Sequence, residues 1–170
     1  HRDLKSIIDD ITIDEAIKAN GWDFDPGHGG YYVLTNPNTD ITVYYDTDGD
    51  GVREQVKLSA DQLGYPEPKR IYNALEFSLT RGWGNDWAFN GSYTWAKSYG
   101  NAEGYVKSDN GQDDAGLTTD WDYPYLMDGA SGSLPNDRRH TFKMYGAYKV
   151  TENLSIGANM IAQSGRPKSA

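Results

Sequence analysis

The run in this 170-residue sequence most clearly suited to chemistry is Asp46-Thr47-Asp48-Gly49-Asp50-Gly51-Val52-Arg53-Glu54. Carboxylates at its first, third and fifth positions, with Gly at the sixth, let a chain wrap tightly around a hard cation, and a backbone carbonyl follows at the seventh. Here that carbonyl belongs to Val52, and the ninth position is Glu54. The twelfth is Lys57, where an EF-hand needs a bidentate Glu, and β-like runs rather than helices flank the loop. The expectation is a Ca2+ site in a hairpin loop, held by Asp46, Asp48, Asp50, the Val52 carbonyl and Glu54. Carboxylates this close in the chain repel one another unless a cation lies between them. A solvated acidic turn is the alternative that the spacing leaves open.

A second acidic stretch, residues 100–136, carries seven acids and the single base Lys107. Asp109, Asp113, Asp114 and Asp120 are its candidate cation ligands; a loop simply open to water fits the same residues. Trp121 and Tyr123 within it, and Arg138-Arg139 just after it, are candidates for a ligand-facing rim. Paired arginines grip carboxylates or phosphates, and they also pair with nearby loop acids. His1, His28 and His140 lack ligand spacing, so zinc is not expected. No Gly-x-Ser-x-Gly, phosphate loop or His-Glu-x-x-His occurs, and the acids lie in loops without an apolar pocket to raise one pKa. An enzyme is not expected.

The composition narrows the class of protein. Net charge is −9, with 14 acids and 5 bases in residues 1–68 and 11 of each in 69–170, so nucleic acid is a poor partner. Cysteine is absent, which removes disulfides and thiolate sites. Mean hydropathy is −0.76, yet aromatics reach 13%, with 13 Tyr and 5 Trp against 4 Phe. Aromatics with a polar tip suit a surface wet on one side and apolar on the other. No apolar run approaches the length of a transmembrane helix. The polar start, His1-Arg2-Asp3-Leu4-Lys5 without Met, is that of a mature product or a fragment rather than of a signal peptide.

The elements that would position these residues come in two kinds. Residues 1–21 read as helical: Leu4, Ile7, Ile8 and Ile11 form one stripe, Thr12 and Glu15 match a capping box, and Asn20-Gly21 suits a C-cap. Residues 22–38 read as loop, rich in Gly, Pro and Asn. Ile41–Tyr45 and Val52–Leu58 read as a hairpin around the acidic loop.

From residue 69 onward four segments alternate with period two: 71–81, 87–99, 141–150 and 154–164. One side of each is apolar (Leu75, Phe77 and Leu79; Phe89, Tyr93 and Trp95; Phe142, Met144 and Tyr148; Ile156 and Met160). The other is small or polar (Glu76; Ser92 and Thr94; Lys143; Asn159). Soluble strands are usually about 5–6 residues, whereas a tilted strand needs about 9–11 to cross a bilayer. Connections 82–86 and 151–153 are short and 100–136 is long, the two-ended asymmetry of outer-membrane barrels. Trp83, Trp87 and Tyr148 gather near the short turns, Trp95 and Tyr99 near the long loop, as two aromatic girdles would. Period two alone leaves a soluble sandwich open.

The runs Tyr72–Thr80, Tyr93–Asn101, Leu134-Pro-Asn-Asp-Arg-Arg-His140 and Gln163-Ser-Gly-Arg-Pro167 resemble the C-terminal barrel of TonB-dependent outer-membrane receptors. The similarity covers roughly residues 40–167 and is nearest to the Oar-like subgroup, which carries a carboxypeptidase-regulatory-like domain before the plug. Residues 101–114 look like its long outer loop. The resemblance implies a 22-stranded barrel with an N-terminal plug, an energy-coupling complex as partner, and uptake of nutrients such as siderophores, glycans or peptides. Plug, coupling box, regulatory domain and closing strand have no counterpart in this sequence.

The fold class expected is therefore all-β: antiparallel amphipathic strands of a partial transmembrane barrel, with a mostly helical and loop-like N-terminal segment. Residues 1–69 would form an extracellular region bearing the calcium hairpin, and 70–170 four barrel strands with the long outer loop. The expected setting is the bacterial outer membrane, with lipid or lipopolysaccharide and the remainder of a receptor as partners. Such a segment could not transport alone, because open sheet edges are not tolerated in hydrocarbon. The alternative function is a calcium-stabilised module, adhesin-like or self-assembling edge to edge with copies of itself into an extracellular tube or filament.

Overall fold

The computed structural model describes residues 1–104, 106, 111, 113 and 119–167. In chain order the elements are β1 (Arg2–Leu4), β2 (Asp9–Thr12), α1 (Asp14–Asn20), β3 (Tyr32–Thr35), β4 (Ile41–Tyr45), β5 (Glu54–Leu58) and α2 (Ala60–Leu63). There follow β6 (Arg70–Arg81), β7 (Trp87–Gly100), a 3-10 turn (Pro124–Met127), β8 (Gly132–Ser133), β9 (His140–Thr151) and β10 (Leu154–Gln163). They fall into two compact units. One comprises His1–Arg2, Ile71–Tyr99 and the chain from Ser133 onward; the other comprises Asp3–Arg70 and Gly100–Gly132.

The first unit is a sheet. Its strand order is β1-β6-β7-β9-β10, with β8 against β7 off that path. β6, β7, β9 and β10 run 12, 14, 12 and 10 residues, twice the usual soluble length of about 5–6. The β7–β9 ladder is antiparallel and pairs Trp87 with Tyr148, Phe89 with Gly146, Gly91 with Met144 and Tyr93 with Phe142. The β9–β10 ladder continues the rows: Tyr148 with Ile156, Gly146 with Ala158, Met144 with Met160 and Phe142 with Ala162. One irregularity, between Leu154 and Ser155, lies beside the short turn. Among the described residues the sheet is open, with β1 and β10 at its ends.

The second unit is a small mixed domain around a core of Ile11, Ile17, Leu58 and Leu63, joined by Tyr65, Trp121 and Met127. Each fully buried Ile or Leu contributes about 1.5–3 kcal/mol. Tyr65 anchors the centre: its hydroxyl accepts from Thr12 N at 3.1 Å and donates to Asp122 O at 2.8 Å. Burial pushes its phenol up to about 12. Trp121 and Met127 come from the long connection after β7, so that connection packs with the first seventy residues rather than standing apart from them. Lys69 and Asn101 lock the two segments together. Asn101 N donates to Lys69 O at 2.9 Å, and Lys69 N donates to Asn101 Oδ1 at 2.7 Å.

The first 21 residues are not helical throughout, contrary to their apolar spacing. Within residues 1–21, Arg2–Leu4 and Asp9–Thr12 are the strands β1 and β2, and Asp14–Asn20 alone is helical. The Leu4-Ile7-Ile8-Ile11 stripe is compatible with a helix, but Ile11 and Thr12 pair with Val33 and Tyr32 of β3, a long-range ladder that overrides local spacing. Thr12 is consequently unavailable as a cap: its hydroxyl donates to Asp122 O at 2.7 Å, and the N-cap is Ile13, which makes no side-chain cap bond. Gly21 does close the helix in the left-handed conformation (φ 68°). The stretch read as loop over 22–38 contains β3. The hairpin β4–β5 forms as expected, and α2 begins with a Ser59–Gln62 capping box.

Candidate functional site

β4 and β5 pair from Ile41 opposite Leu58 to Tyr45 opposite Glu54, so residues 46–53 must reverse the chain. Gly49 and Gly51 make this possible by adopting φ of 80° and 86°, a region that strains L side chains. The reversal points amides inward. Gly49 N donates to Asp46 Oδ1 and Gly51 N to Asp46 Oδ2, both at 2.7 Å. Asp50 N donates to Asp48 Oδ1 at 3.2 Å, and Val52 N to Asp50 Oδ1 at 2.7 Å. Partial desolvation acts to raise the Asp46 carboxyl, but the amides of Gly51 and Gly49 outweigh it and hold it below the ordinary carboxylate value.

One oxygen from each of Asp46, Asp48 and Asp50 lies within 4.8 Å of the others. Two oxygens each about 2.4 Å from a single ion are separated by no more than about 4.8 Å, so the three can ligate one calcium-sized cation. Glu54 does not join that cluster. Its Oε2 accepts from Thr47 N at 3.2 Å and Thr47 Oγ1 at 3.1 Å, which places it as a brace of the loop. The Val52 side chain is exposed. The sequence reading missed Asp23. Its amide donates to Thr47 O at 3.0 Å, and a Cβ on Gly49 would come within 3.2 Å of Asp23 Oδ2. Nothing local in the sequence marks Asp23, because the fold alone brings it beside a loop more than twenty residues later.

The other candidates are distributed differently. Asp109 and Asp114 lie outside the described residues. Asp113 and Asp120 are described, and neither belongs to a cluster of three ligands among the described residues. Asp122 sits near Asp10 and Asp120; burial first, then those two charges, raises its carboxyl. Trp121 is not a rim residue: it is 3% exposed and packs in the core beside Tyr65, with ring centroids 6.3 Å apart. Burying an indole's area outweighs presenting it to a ligand. Tyr123 stacks on Tyr125 at 5.4 Å.

Among the described residues, both arginines bond to groups of the sheet unit. Arg139 pairs at 2.8 Å with Asp137, whose other oxygen accepts from Ser98 N at 2.8 Å. Arg138 donates to Ser164 O at 3.0 Å. Charge-assisted bonds of this kind fasten the strand ends to one another.

The sheet supplies the second functional surface. Cross-strand partners share a face, so the registers put Trp87, Tyr148 and Ile156 in one row and Tyr93, Phe142 and Ala162 in another on the same side. Ser92, Lys143 and Ile161 form a row on the opposite side, as do Asn90, Tyr145 and Asn159. The apolar side has no second layer over it among the described residues: Phe77 is 64% exposed, Leu79 68% and Ile156 60%. A soluble sandwich would have sealed these side chains. Both long segments, which precede β6 and follow β7, leave the sheet at one end, and the short turns lie at the other.

A family model described as the outer membrane beta barrel domain matches residues 34–161. The chain belongs to this outer-membrane barrel family. It is also similar to the TonB-dependent transporter Oar of Myxococcus xanthus, with 28% identity over 171 aligned positions that cover 98% of this chain and 13% of that protein. The chain thus spans about an eighth of the curated relative it matches. No solved structure matches. Neither match is to an enzyme family.

An outer-membrane barrel sets the medium on each side of the sheet. In such barrels the apolar face of a strand is the lipid-side one and the polar face the lumen-side one, and here Phe77, Tyr93, Met144 and Ile156 have the first character and Ser92, Lys143 and Asn159 the second. The protein resides in the bacterial outer membrane. Trp87 and Trp95 are eight residues apart on β7, about 26 Å along a strand and about 20 Å of height at a 40° tilt. That separation fits the two edges of an apolar band about 25 Å tall. At the short-turn edge the Arg81 guanidinium lies 3.9 Å over the Trp87 ring, a cation–π contact beside the girdle tryptophan.

Proposed function

We propose that this chain is a segment of a TonB-dependent uptake receptor, supplying adjacent barrel strands and a folded outer region made of its two long connections. That region would be extracellular and help admit a nutrient such as a siderophore. The segment would not transport by itself, since bacterial barrels need at least about eight strands and an open edge is not tolerated in lipid. What carries the reading is the uncovered apolar face of β6, β7, β9 and β10, together with long connections at one end and short turns at the other. The energy-coupling complex and the plug would be partners supplied by other parts of such a receptor.

The test compares the whole receptor polypeptide with the 170-residue segment in liposomes. The whole polypeptide should give a heat-modifiable barrel and, in cells, uptake that stops when the inner-membrane proton gradient is collapsed. The segment should give no solute flux. A monodisperse, detergent-free monomer of the segment, with its apolar face protected from a membrane-partitioning label, overturns the reading.

The converging oxygens of Asp46, Asp48 and Asp50 favour a second element: Ca2+ held in the β4–β5 loop, stiffening the outer region. Backbone amides hold all three carboxylates in place, Asp46 through both of its oxygens, so the ion would meet ligands that are already set. Edge pairing between copies through β1 and β10 is the alternative fate of the same open sheet, and a concentration-dependent polymer that dissolves on chelation would be its signature.

A further inference from the structure

We propose that a tyrosine-lined cleft in the second unit binds an organic cation, the ammonium or guanidinium head of a basic peptide. The cleft has a volume of about 530 Å³, and its walls include Tyr31, Tyr32, Tyr44 and Tyr45, with Asp23 and Asp46 at its border. Tyr31 and Tyr45 meet edge to face at 80° with centroids 5.2 Å apart, so the cleft presents rings in two orientations. The His28 ring stacks on Tyr31 at 4.2 Å, and the Tyr45 hydroxyl donates to Asp23 O, which fixes both tyrosines before any ligand arrives. Tyr32 and Tyr44 are 45% and 67% exposed, leaving their surfaces available.

Three properties select a cation. Tyrosine faces carry the negative lobe of the ring quadrupole and attract ammonium and guanidinium groups. Asp23, which is outside the calcium cluster, lines the same space, and so does Asp46 in the calcium-free chain, against Arg53 as the single permanent cation among the described lining residues. The unit as a whole has 21 acidic and 7 basic side chains, a net charge of −14, while the sheet unit has a net charge of +5. A field of that sign steers polycations and repels anions, and a neutral saccharide would gain nothing from it. Ile13, Val33 and Val43 provide an apolar lining for the methylene stem that accompanies a Lys or Arg head. The inference rests on the cleft and does not depend on transport through the barrel.

The experiment uses the full-length protein in zwitterionic micelles and fluorescein-labelled hexalysine as probe, read by fluorescence anisotropy. Tyr44→Ala and Asp23→Asn should each weaken binding about tenfold, while Tyr44→Phe, which keeps the ring, should bind as the parent does. Tyr125→Ala removes an exposed tyrosine of the same acidic unit outside the cleft and should leave affinity unchanged. Raising salt from about 0.05 to 0.5 M should weaken the complex at least tenfold as the field is screened. Parental affinity in both Tyr44→Ala and Asp23→Asn overturns the proposal. So does equal loss in Tyr125→Ala, because diffuse acidity would then hold the peptide, and so does equal affinity for a fully acetylated hexalysine. Complete displacement by micromolar tetramethylammonium would assign the cleft to small amines and overturn the peptide.

Discussion

Phe89 lays its ring over Gly91, two residues on along the apolar face of β7: a Cβ at Gly91 would fall 2.7 Å from Phe89 Cζ and 2.9 Å from Cε1. Gly91 is also opposite Met144. The missing side chain is thus filled by its neighbours, an aromatic covering a strand glycine. Gly91→Leu displaces that ring and should cost about 1–3 kcal/mol of barrel stability. Phe89→Ala bares the glycine and should cost a comparable amount. The measurement is the temperature at which the full-length barrel loses its compact electrophoretic form. Unchanged temperatures for both variants would remove the ring-over-glycine account.

The two faces of the sheet differ in the medium they meet, so one substitution should have opposite consequences on them. Phe77→Arg puts a charge on the exposed apolar face and should cost about 2–4 kcal/mol if it lies near the bilayer midplane. Ser92→Arg, on the other face in the row with Lys143, should assemble nearly as well as the parent. Folded barrel recovered from outer-membrane fractions reads out both. Equal yields would show that the face containing Phe77 does not meet lipid.

In the acidic loop, chelation and acid should act through different residues. With Ca2+ at millimolar concentration the melting temperature should rise, and chelator or Asp48→Asn with Asp50→Asn should abolish the rise. Asp46 also matters without the ion: Asn at that position would turn an amide N–H toward a glycine N–H. Because its carboxyl is held below the ordinary value of 3.8, its ionised form stabilises the fold above that value. That contribution is lost as pH falls through the depressed value. A melting profile taken against pH in chelator should therefore show a step below pH about 4 that Asp46→Asn removes. Identical profiles for the parent and Asp46→Asn would refute the amide account.

Gly100 is where the long connection leaves β7, and it cannot be enlarged. A Cβ there would come 1.9 Å from Lys69 O, the carbonyl that accepts from Asn101 N. The obstacle is backbone rather than a flexible tip, so Gly100→Ala must break the Lys69–Asn101 clasp. Raised protease sensitivity of the second unit, with the strands still protected, is the expected result. A digestion pattern like the parent's would show that the clasp tolerates the shift.

Period two in residues 71–163 was sufficient to define the strands, their faces and the two-ended layout, because a pleated strand sends successive side chains to opposite sides whatever its partners. The hairpin around Asp46–Glu54 was equally legible, since its glycines and short-range Asx bonds are local. What happened before residue 40 was not. Leu4, Ile7, Ile8 and Ile11 satisfy a helical stripe, yet Leu4 ends a strand beside β6 and Ile11 lies in β2, paired with β3 and backed by the bonds of Thr12 to Tyr65 and Asp122. Trp121 looked like a ligand platform until the long connection folded it into a core assembled from residues a hundred positions away. Asp23 reached the acidic loop, and four tyrosines enclosed a cleft, by the same route. Sequence determines what each short run prefers and which side of it is apolar; tertiary structure decides which distant run covers that side, because burial energy depends on the partner and chain order does not name it.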